Sequence, residues 1–267
     1  MPELPEVQTI VQSLAGIVAR QIDAVRINRQ DVIRPTGFDL GSHLTGRAVA
    51  NISRRGKKII VQLDNGNRFY IHLGMSGRLT LQSAAAPVQP HTHLIVQLAQ
   101  NQLRFVDPRR FGGIFWLGAD GSADRELGPE PLLMRPGDLA RRLRGTRRSI
   151  KTALLDQSMI AGLGNIYADE ALFTAGIDPR VAANRLTVDQ AARLSRAIKQ
   201  VLRRALRHRG STLRDYRDAN GRAGQFQKLH RVYHRHGQHC IHCQTPIKRI
   251  VLGGRSTHFC PKCQTRR

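Results

Sequence analysis

Two groups of residues in this sequence are of types, and at spacings, that can do chemistry. The first opens the chain: Met1-Pro2-Glu3-Leu4-Pro5-Glu6. Removal of an initiator Met before a small residue is expected, and it would leave Pro2 with a free secondary amine. An α-amine titrates near about 8, far below lysine, so a usable fraction is an unprotonated nucleophile at neutral pH. A helix starting a few residues later presents its positive end to that amine and disfavours the ammonium form further. Such an amine can attack a sugar C1′ and form an iminium, chemistry usually assigned to lysine. Glu3 is adjacent and suited to give or take a proton. The pair also has a plainer explanation, acids at a helix N-terminus, and taken alone it reads more readily that way.

The second group is Cys240-x2-Cys243 and Cys260-x2-Cys263, which accounts for all four cysteines of the chain. No signal peptide is apparent, and the start is acidic where a secretion signal would be basic. A cytoplasmic protein is expected, and in a reducing compartment this grouping reads as a metal site rather than disulfides. Two such knuckles can offer four thiolates tetrahedrally to one Zn²⁺. A closed four-thiolate site leaves no position for water, so the expected zinc is structural. It would staple a segment too short to fold alone. Lys248, Arg249 and Arg255 lie between the knuckles, where they could grip a phosphate or simply be solvated.

Elements must position these groups. Val7, Ile10, Val11, Leu14, Ile17 and Val18 follow the spacing of one buried helical face, predicting a helix over 5–20. From about 22 to 118 the pattern changes to short alternating runs, among them 58–63, 68–73, 94–98 and 102–106. Turn residues such as Asp64-Asn65-Gly66 separate them, as in a strand-rich domain. Pro129, Pro131, Pro136 and Gly137 suggest a linker. Leu186, Leu194, Ile198, Val201, Leu202 and Ala205 then form a helical stripe, opened by a capping box at Thr187-x-x-Gln190. Residues 209–239 show little periodicity and are expected to be a long loop. The expected division is 1–133, a linker at 134–149, 150–233 and 234–267.

Lys and Arg number 43 against 19 Asp and Glu, a formal net charge of +24. A folded body that basic calls for a polyanionic partner, and nucleic acid is the reading taken here. A membrane partner is not expected: no run of 18 apolar residues occurs, nor a long basic amphipathic helix of the interfacial type. No dimerisation stripe is evident, so a monomer is expected.

Met1-Pro2-Glu3-Leu4-Pro5-Glu6-Val7 resembles the opening of the formamidopyrimidine-DNA glycosylase family, which includes the endonuclease VIII-like enzymes. The resemblance continues through Arg54-Arg55-Gly56-Lys57 and Ile71-His72-Leu73-Gly74-Met75-Ser76-Gly77. It runs on to Asp107-Pro108-Arg109-Arg110-Phe111-Gly112, Leu127-Gly128-Pro129-Glu130-Pro131-Leu132 and Gly162-Leu163-Gly164-Asn165-Ile166-Tyr167-Ala168, and it ends in the cysteine module. It covers essentially the whole chain. Leu4 points to the oxidised-purine branch, because the pyrimidine-preferring branch typically has Gly there.

The resemblance implies an α+β multidomain fold: an N-terminal β-sandwich with a leading helix, a helix–two-turn–helix domain and a β-hairpin zinc finger, with damaged duplex DNA between the lobes. It implies excision of 8-oxoguanine and formamidopyrimidines, then β,δ-elimination. Pro2 would be the nucleophile and Glu3 its proton partner. Lys57 and Arg255 would assist elimination, Arg255 by gripping phosphate. Met75, Arg109 and Phe111 match residues that fill the void left by a flipped base. His72, His91, Arg147, Lys151 and Asn165 fall on or near DNA-contact positions, and Glu6 is a candidate contact to the base. Departures occur at Lys228 and His230, where the family often has a neutral residue and Leu, and in the loop 211–227. Two other functions stay open on sequence: a non-catalytic zinc-ribbon DNA-binding protein, and an enzyme for pyrimidine lesions.

Overall fold

The computed structural model of the protein describes residues 1–124 and 126–265. The chain divides into two compact units, Met1–Arg125 with Arg209–Gln225, and Glu126–His208 with Phe226–Arg267.

The first unit opens with helix α1 (Leu4–Ser13), entered through a capping box between Glu3 and Glu6. Pro5 sits in the first turn, where its missing N–H costs nothing. The apolar stripe is buried as expected, but the helix ends well before residue 20. Ser13 donates its hydroxyl to the Ile10 carbonyl, and Ala15–Ile17 tighten into a 3₁₀ turn that still buries Ile17. Side-chain competition for the backbone together with Gly16, a poor helix former, accounts for the early end.

Strands β1 (Ala24–Ile27) and β2 (Ile33–Arg34) follow, then a short helix α2 (Leu40–Leu44). Next come β3 (Val49–Arg55), β4 (Lys58–Leu63), β5 (Arg68–His72), β6 (Arg78–Ser83), β7 (Thr92–Leu98), β8 (Asn101–Val106) and β9 (Gly113–Gly118). They form two sheets, ordered β1-β7-β8-β6 and β2-β9-β5-β4-β3. Neighbours are antiparallel except β2 and β9. Alternate residues point inward, as the period of a half-buried strand requires. Ile59, Val61, Phe69, Ile71 and Ile114 of one sheet share a core with Leu94, Val96, Leu103 and Phe105 of the other and with Val7 and Ile10 of α1.

The expected loop after residue 208 has little regular structure, yet Arg209–Gln225 is tied into the first unit rather than the helical one. The Ser211 amide donates to Glu6 Oε1 at 2.7 Å, the Ala219 amide to Ser13 Oγ at 3.0 Å, and the Leu81 amide to the Ala219 carbonyl at 2.8 Å. Gly210 has φ +74°, and a Cβ there would lie 2.4 Å from Glu6 Oε1, so only glycine lets this turn approach α1.

The second unit holds α3 (Asp138–Arg144), α4 (Ile150–Leu155), α5 (Asn165–Ala175), the long α6 (Val188–Arg207) and a hairpin of β10 (Lys248–Leu252) and β11 (Arg255–Phe259). The Thr187/Gln190 capping box opens α6 as expected. Buried Glu170 of α5 accepts backbone N–H bonds from Arg231, Val232 and Tyr233, which fixes the chain entering the cysteine module. Phe173, Val232 and Ile247 pack with Cys240 and Cys260 into a small separate core.

His230 lies edge-on to Phe226 and Tyr233 in that region. Burial, with His234 and His258 adding repulsion, holds its imidazole down at about 4, against an ordinary 6.5. Because the unfolded chain takes up a proton first, the stability due to neutral His230 is complete above about 6.5 and is lost as pH falls towards about 4. Chemical denaturation of His230→Leu should therefore show a flatter decline over that window than the parent chain, by about 2–3 kcal/mol across it. Parallel declines would contradict this.

Candidate active site and metal centre

The amino end is built by α1. Glu3 is its N-cap residue and is only 4% exposed, and its backbone N–H donates to Glu6 Oε2 at 2.8 Å. Pro2 precedes it, half-buried, at the helix's positive end. Glu6 gives one carboxylate oxygen to the Glu3 amide and the other to the Ser211 amide, while Tyr216 donates its hydroxyl to the Glu6 carbonyl at 3.2 Å. Through these two bonds Glu6 tethers α1 to the loop 209–225.

Lys57 sits in the tight turn between β3 and β4 and is buried. Arg54 braces that turn, donating to Gln8 of α1 at 3.0 Å and to the Gly56 carbonyl at 2.8 Å. His72 ends β5 opposite Lys58. Burial first, then the charges of Lys57 and Lys58, lower its imidazole pKa, against the pull of Asp107. The Gly74 amide donates to His72 Nδ1 at 3.2 Å, so the proton of the neutral ring is on Nε2, an uncharged donor.

Met75, Arg109 and Phe111 lie on two loops that a buried carboxylate holds together. Asp107 is fully buried. Its Oδ1 accepts from the Ser76 hydroxyl at 2.5 Å and the Arg109 amide at 3.3 Å, and its Oδ2 from the Gly112 amide at 2.8 Å. Its backbone N–H donates to the His91 carbonyl at 3.1 Å, and its carbonyl meets His93 Nε2 at 2.8 Å. Gly74 has φ +56°, and a Cβ there would lie 2.4 Å from the Phe111 carbonyl carbon. On this platform Met75 is 48% and Phe111 56% exposed, and the Arg109 guanidinium lies 4.7 Å from the Phe111 ring centroid. Large apolar side chains on a rigid, solvated turn are suited to wedge into something rather than to fill a core. His91 is exposed beside them in a left-handed conformation.

In the second unit the expected contacts divide. Arg147 is exposed ahead of α4, and Arg255 is exposed at the start of β11. Asn165 opens α5 and donates Nδ2 to the Ser256 carbonyl at 2.9 Å, while its buried Oδ1 has no partner among the described residues. Lys151 is 0% exposed: its ammonium pairs with Asp169 at 2.5 Å and donates to the Asn165 carbonyl at 3.0 Å. Asp169 also accepts from the His258 amide at 2.9 Å. The structure thus holds Lys151 in a buried ion pair between α4 and α5. A charge that is buried must be paired, and this pair fastens β11, with Arg255 at its start, to α4 and α5.

The four cysteine sulfurs lie within 4.8 Å of one another. Cys240 and Cys263 sulfurs are 3.8 Å apart, and those of Cys243 and Cys260 3.4 Å. A tetrahedron of thiolates about 2.3 Å from Zn²⁺ has edges of about 3.8 Å, so the donor set fits that ion. Burial and the other sulfurs push the Cys263 thiol far up, while bonds from Thr245 hold Cys243 down at about 6. Bound zinc would keep all four as thiolates and brace the hairpin from below.

Sequence reasoning did not assign roles to Asp107, Ser76, Asp169 or Glu170. The signal for Asp107 was present: an acid before Pro, ahead of two glycines, is a turn-forming residue whose carboxylate can cap local amides. The partners of Asp169 and Glu170 are far along the chain, and no local pattern announces them.

Residues 1–114 match the formamidopyrimidine-DNA glycosylase N-terminal domain, 127–217 the formamidopyrimidine-DNA glycosylase H2TH domain, and 237–266 the zinc finger found in FPG and IleRS. A formamidopyrimidine-DNA glycosylase of Solibacter usitatus is 43% identical over 267 residues, covering 100% of both chains. Among solved structures, a Lactococcus lactis FPG mutant in complex with Fapy-dG containing DNA superposes with a TM-score of 0.93 at 34% identity, covering 99% of this chain and 100% of that one. Lactococcus lactis Fpg with an abasic site containing DNA gives 0.92 at 34% identity, covering 98% and 99%.

Asp107→Asn replaces an acceptor with an amide donor that faces N–H or O–H donors on either side. It should destabilise the first unit by about 2–4 kcal/mol, the cost of two buried charge-assisted bonds. Thermal and urea unfolding check this; a loss under about 0.5 kcal/mol would show that Asp107 does not hold the loops.

Proposed function

The chain belongs to the formamidopyrimidine-DNA glycosylase family, and on that footing we propose that it excises oxidised purines from duplex DNA and then cleaves the abasic strand. The observation that carries this reading is the exposed Met75–Arg109–Phe111 group on its Asp107-held platform. It has the shape and chemistry to fill the gap that a flipped nucleotide leaves. Phe111 wedges into the stack, Met75 fills irregular apolar space, and Arg109 donates hydrogen bonds to the orphaned base.

In the proposed reaction the unprotonated Pro2 nitrogen, freed of Met1, attacks C1′ of the flipped nucleotide. The bond from C1′ to the base breaks, and the base leaves with a proton. Glu3 protonates the ring oxygen O4′, the sugar opens, and an iminium joins Pro2 to C1′. The iminium draws electrons from the C2′–H bond. Loss of that proton expels the 3′ phosphate, and a second elimination expels the 5′ phosphate. Lys57, buried in its turn, moves a proton during elimination, and neutral His72 donates from Nε2 to a phosphate oxygen. His91, Arg147, Asn165 and Arg255 supply phosphate contacts. Lys151 acts through Asp169 as a positioning residue for the hairpin that carries Arg255. Glu6 acts through the loop 209–225, which is proposed to cover the extruded base. Zinc, when bound, supplies rigidity and no reaction step.

The test is borohydride trapping on a duplex with 8-oxoguanine opposite cytosine, beside one with thymine glycol. The zinc-loaded protein should trap the first in preference to the second. Pro2→Gly should reduce trapping by at least about 100-fold, the scale on which an activated nucleophile matters. Lesion-independent binding without trapping, on an abasic duplex as well, would leave a DNA-binding protein without this chemistry.

A further inference from the structure

Helix α6 carries a feature that none of this uses. Its core-facing side is Ala191, Leu194, Ile198, Val201, Leu202 and Ala205. On the opposite side Arg193, Arg196, Gln200, Arg203 and Arg207 repeat at spacings of three and four residues, and all are exposed. At about 1.5 Å per residue the line from Arg193 to Arg207 is about 21 Å long. Arg193 donates Nε to the Ala175 carbonyl. Among the described residues, the side chains of Arg196, Arg203 and Arg207 have no hydrogen-bond or ion-pair partner. The one acid in the helix is Asp189, in its first turn.

Helix stability does not explain this arrangement. Like charges three or four residues apart weaken a helix, and Arg203/Arg207, Arg204/Arg207, Lys199/Arg203 and Arg193/Arg196 are all such pairs. A face selected only for solubility would mix the two signs. An unopposed row of guanidinium groups is matched instead by a line of phosphates. A DNA duplex presents one charge per about 1.7 Å of its axis, so a 21 Å row faces many of them. We propose that the outer face of α6 is a second, sequence-independent contact for the phosphate backbone of undamaged duplex DNA, separate from the lesion site. The choice of DNA as the polyanion rests on the function proposed above. The surface lets the protein hold DNA without engaging a lesion.

The experiment uses the full zinc-loaded chain and the triple variant Arg196→Gln/Arg203→Gln/Arg207→Gln, with circular dichroism to confirm that α6 is folded. A labelled undamaged duplex is titrated between about 50 and 200 mM salt. Three phosphates released should make the log–log salt slope shallower by about 2–3 in the variant. The variant Arg196→Lys/Arg203→Lys/Arg207→Lys keeps the charge and should keep the parent slope. Unchanged slope in the Gln variant, or equal loss in the Lys variant, overturns the proposal. So does polyglutamate that distinguishes parent from Gln variant more strongly than the duplex does, which would mark the face as a protein contact. Trapping on a short lesion duplex should be the same in parent and Gln variant. Trapping lost only in the variant would place the row within the lesion site and overturn its separateness. Trapping absent from both would reject the assigned reaction, while the salt slope still judges the α6 face.

Discussion

The hydrogen bonds around the Asp107 carboxylate are what the exposed part of the site depends on. Two loops, 73–77 and 107–112, have no sheet hydrogen bonds with which to hold each other. Asp107 supplies them from inside, accepting from Ser76, Arg109 and Gly112 while its backbone meets His91 and His93. A buried carboxylate is costly unless its lone pairs are used, and here they are used by groups that would otherwise be unsatisfied themselves. The result is two joined loops that present two large apolar side chains and an arginine to solvent. Preorganisation of a loop in this way lowers the entropy lost when it binds.

The second unit solves a similar problem with a buried ion pair. Asp169, on α5, takes the Lys151 ammonium on one oxygen and the β11 backbone on the other. Glu170, the next residue, gathers three consecutive amides of the segment that leads into the cysteine module. The four-sulfur cluster then closes the module from its other end. A short hairpin with almost no core of its own is thereby held at three places, and Arg255 at its start is fixed with it.

Much of the fold was legible in the sequence. Residues 58–63 form β4 as the alternation predicts, the Thr187/Gln190 cap opens α6, and the cysteine spacing gives the metal cluster. Those features are local, set by periodicity and fixed offsets. Long-range partners were not legible. The Lys151–Asp169 pair and the bond from the Ser211 amide to Glu6 join residues 18 and 205 apart in sequence. The loop after residue 208 looked unattached because its anchors, Glu6, Ser13 and Leu81, lie far earlier in the chain. The early end of α1 goes with Gly16 and with the bond from the Ser13 hydroxyl to the Ile10 carbonyl, neither of which an apolar stripe reveals.

The proposed chemistry rests on the secondary amine of Pro2, at the positive end of a capped helix, as the group that joins the DNA. Peptide mapping by mass spectrometry of the borohydride-reduced complex tests it most directly. A sugar remnant is expected on the amino-terminal peptide, on the Pro2 nitrogen with Met1 absent. A remnant on a lysine peptide instead, such as that of Lys57, would contradict it.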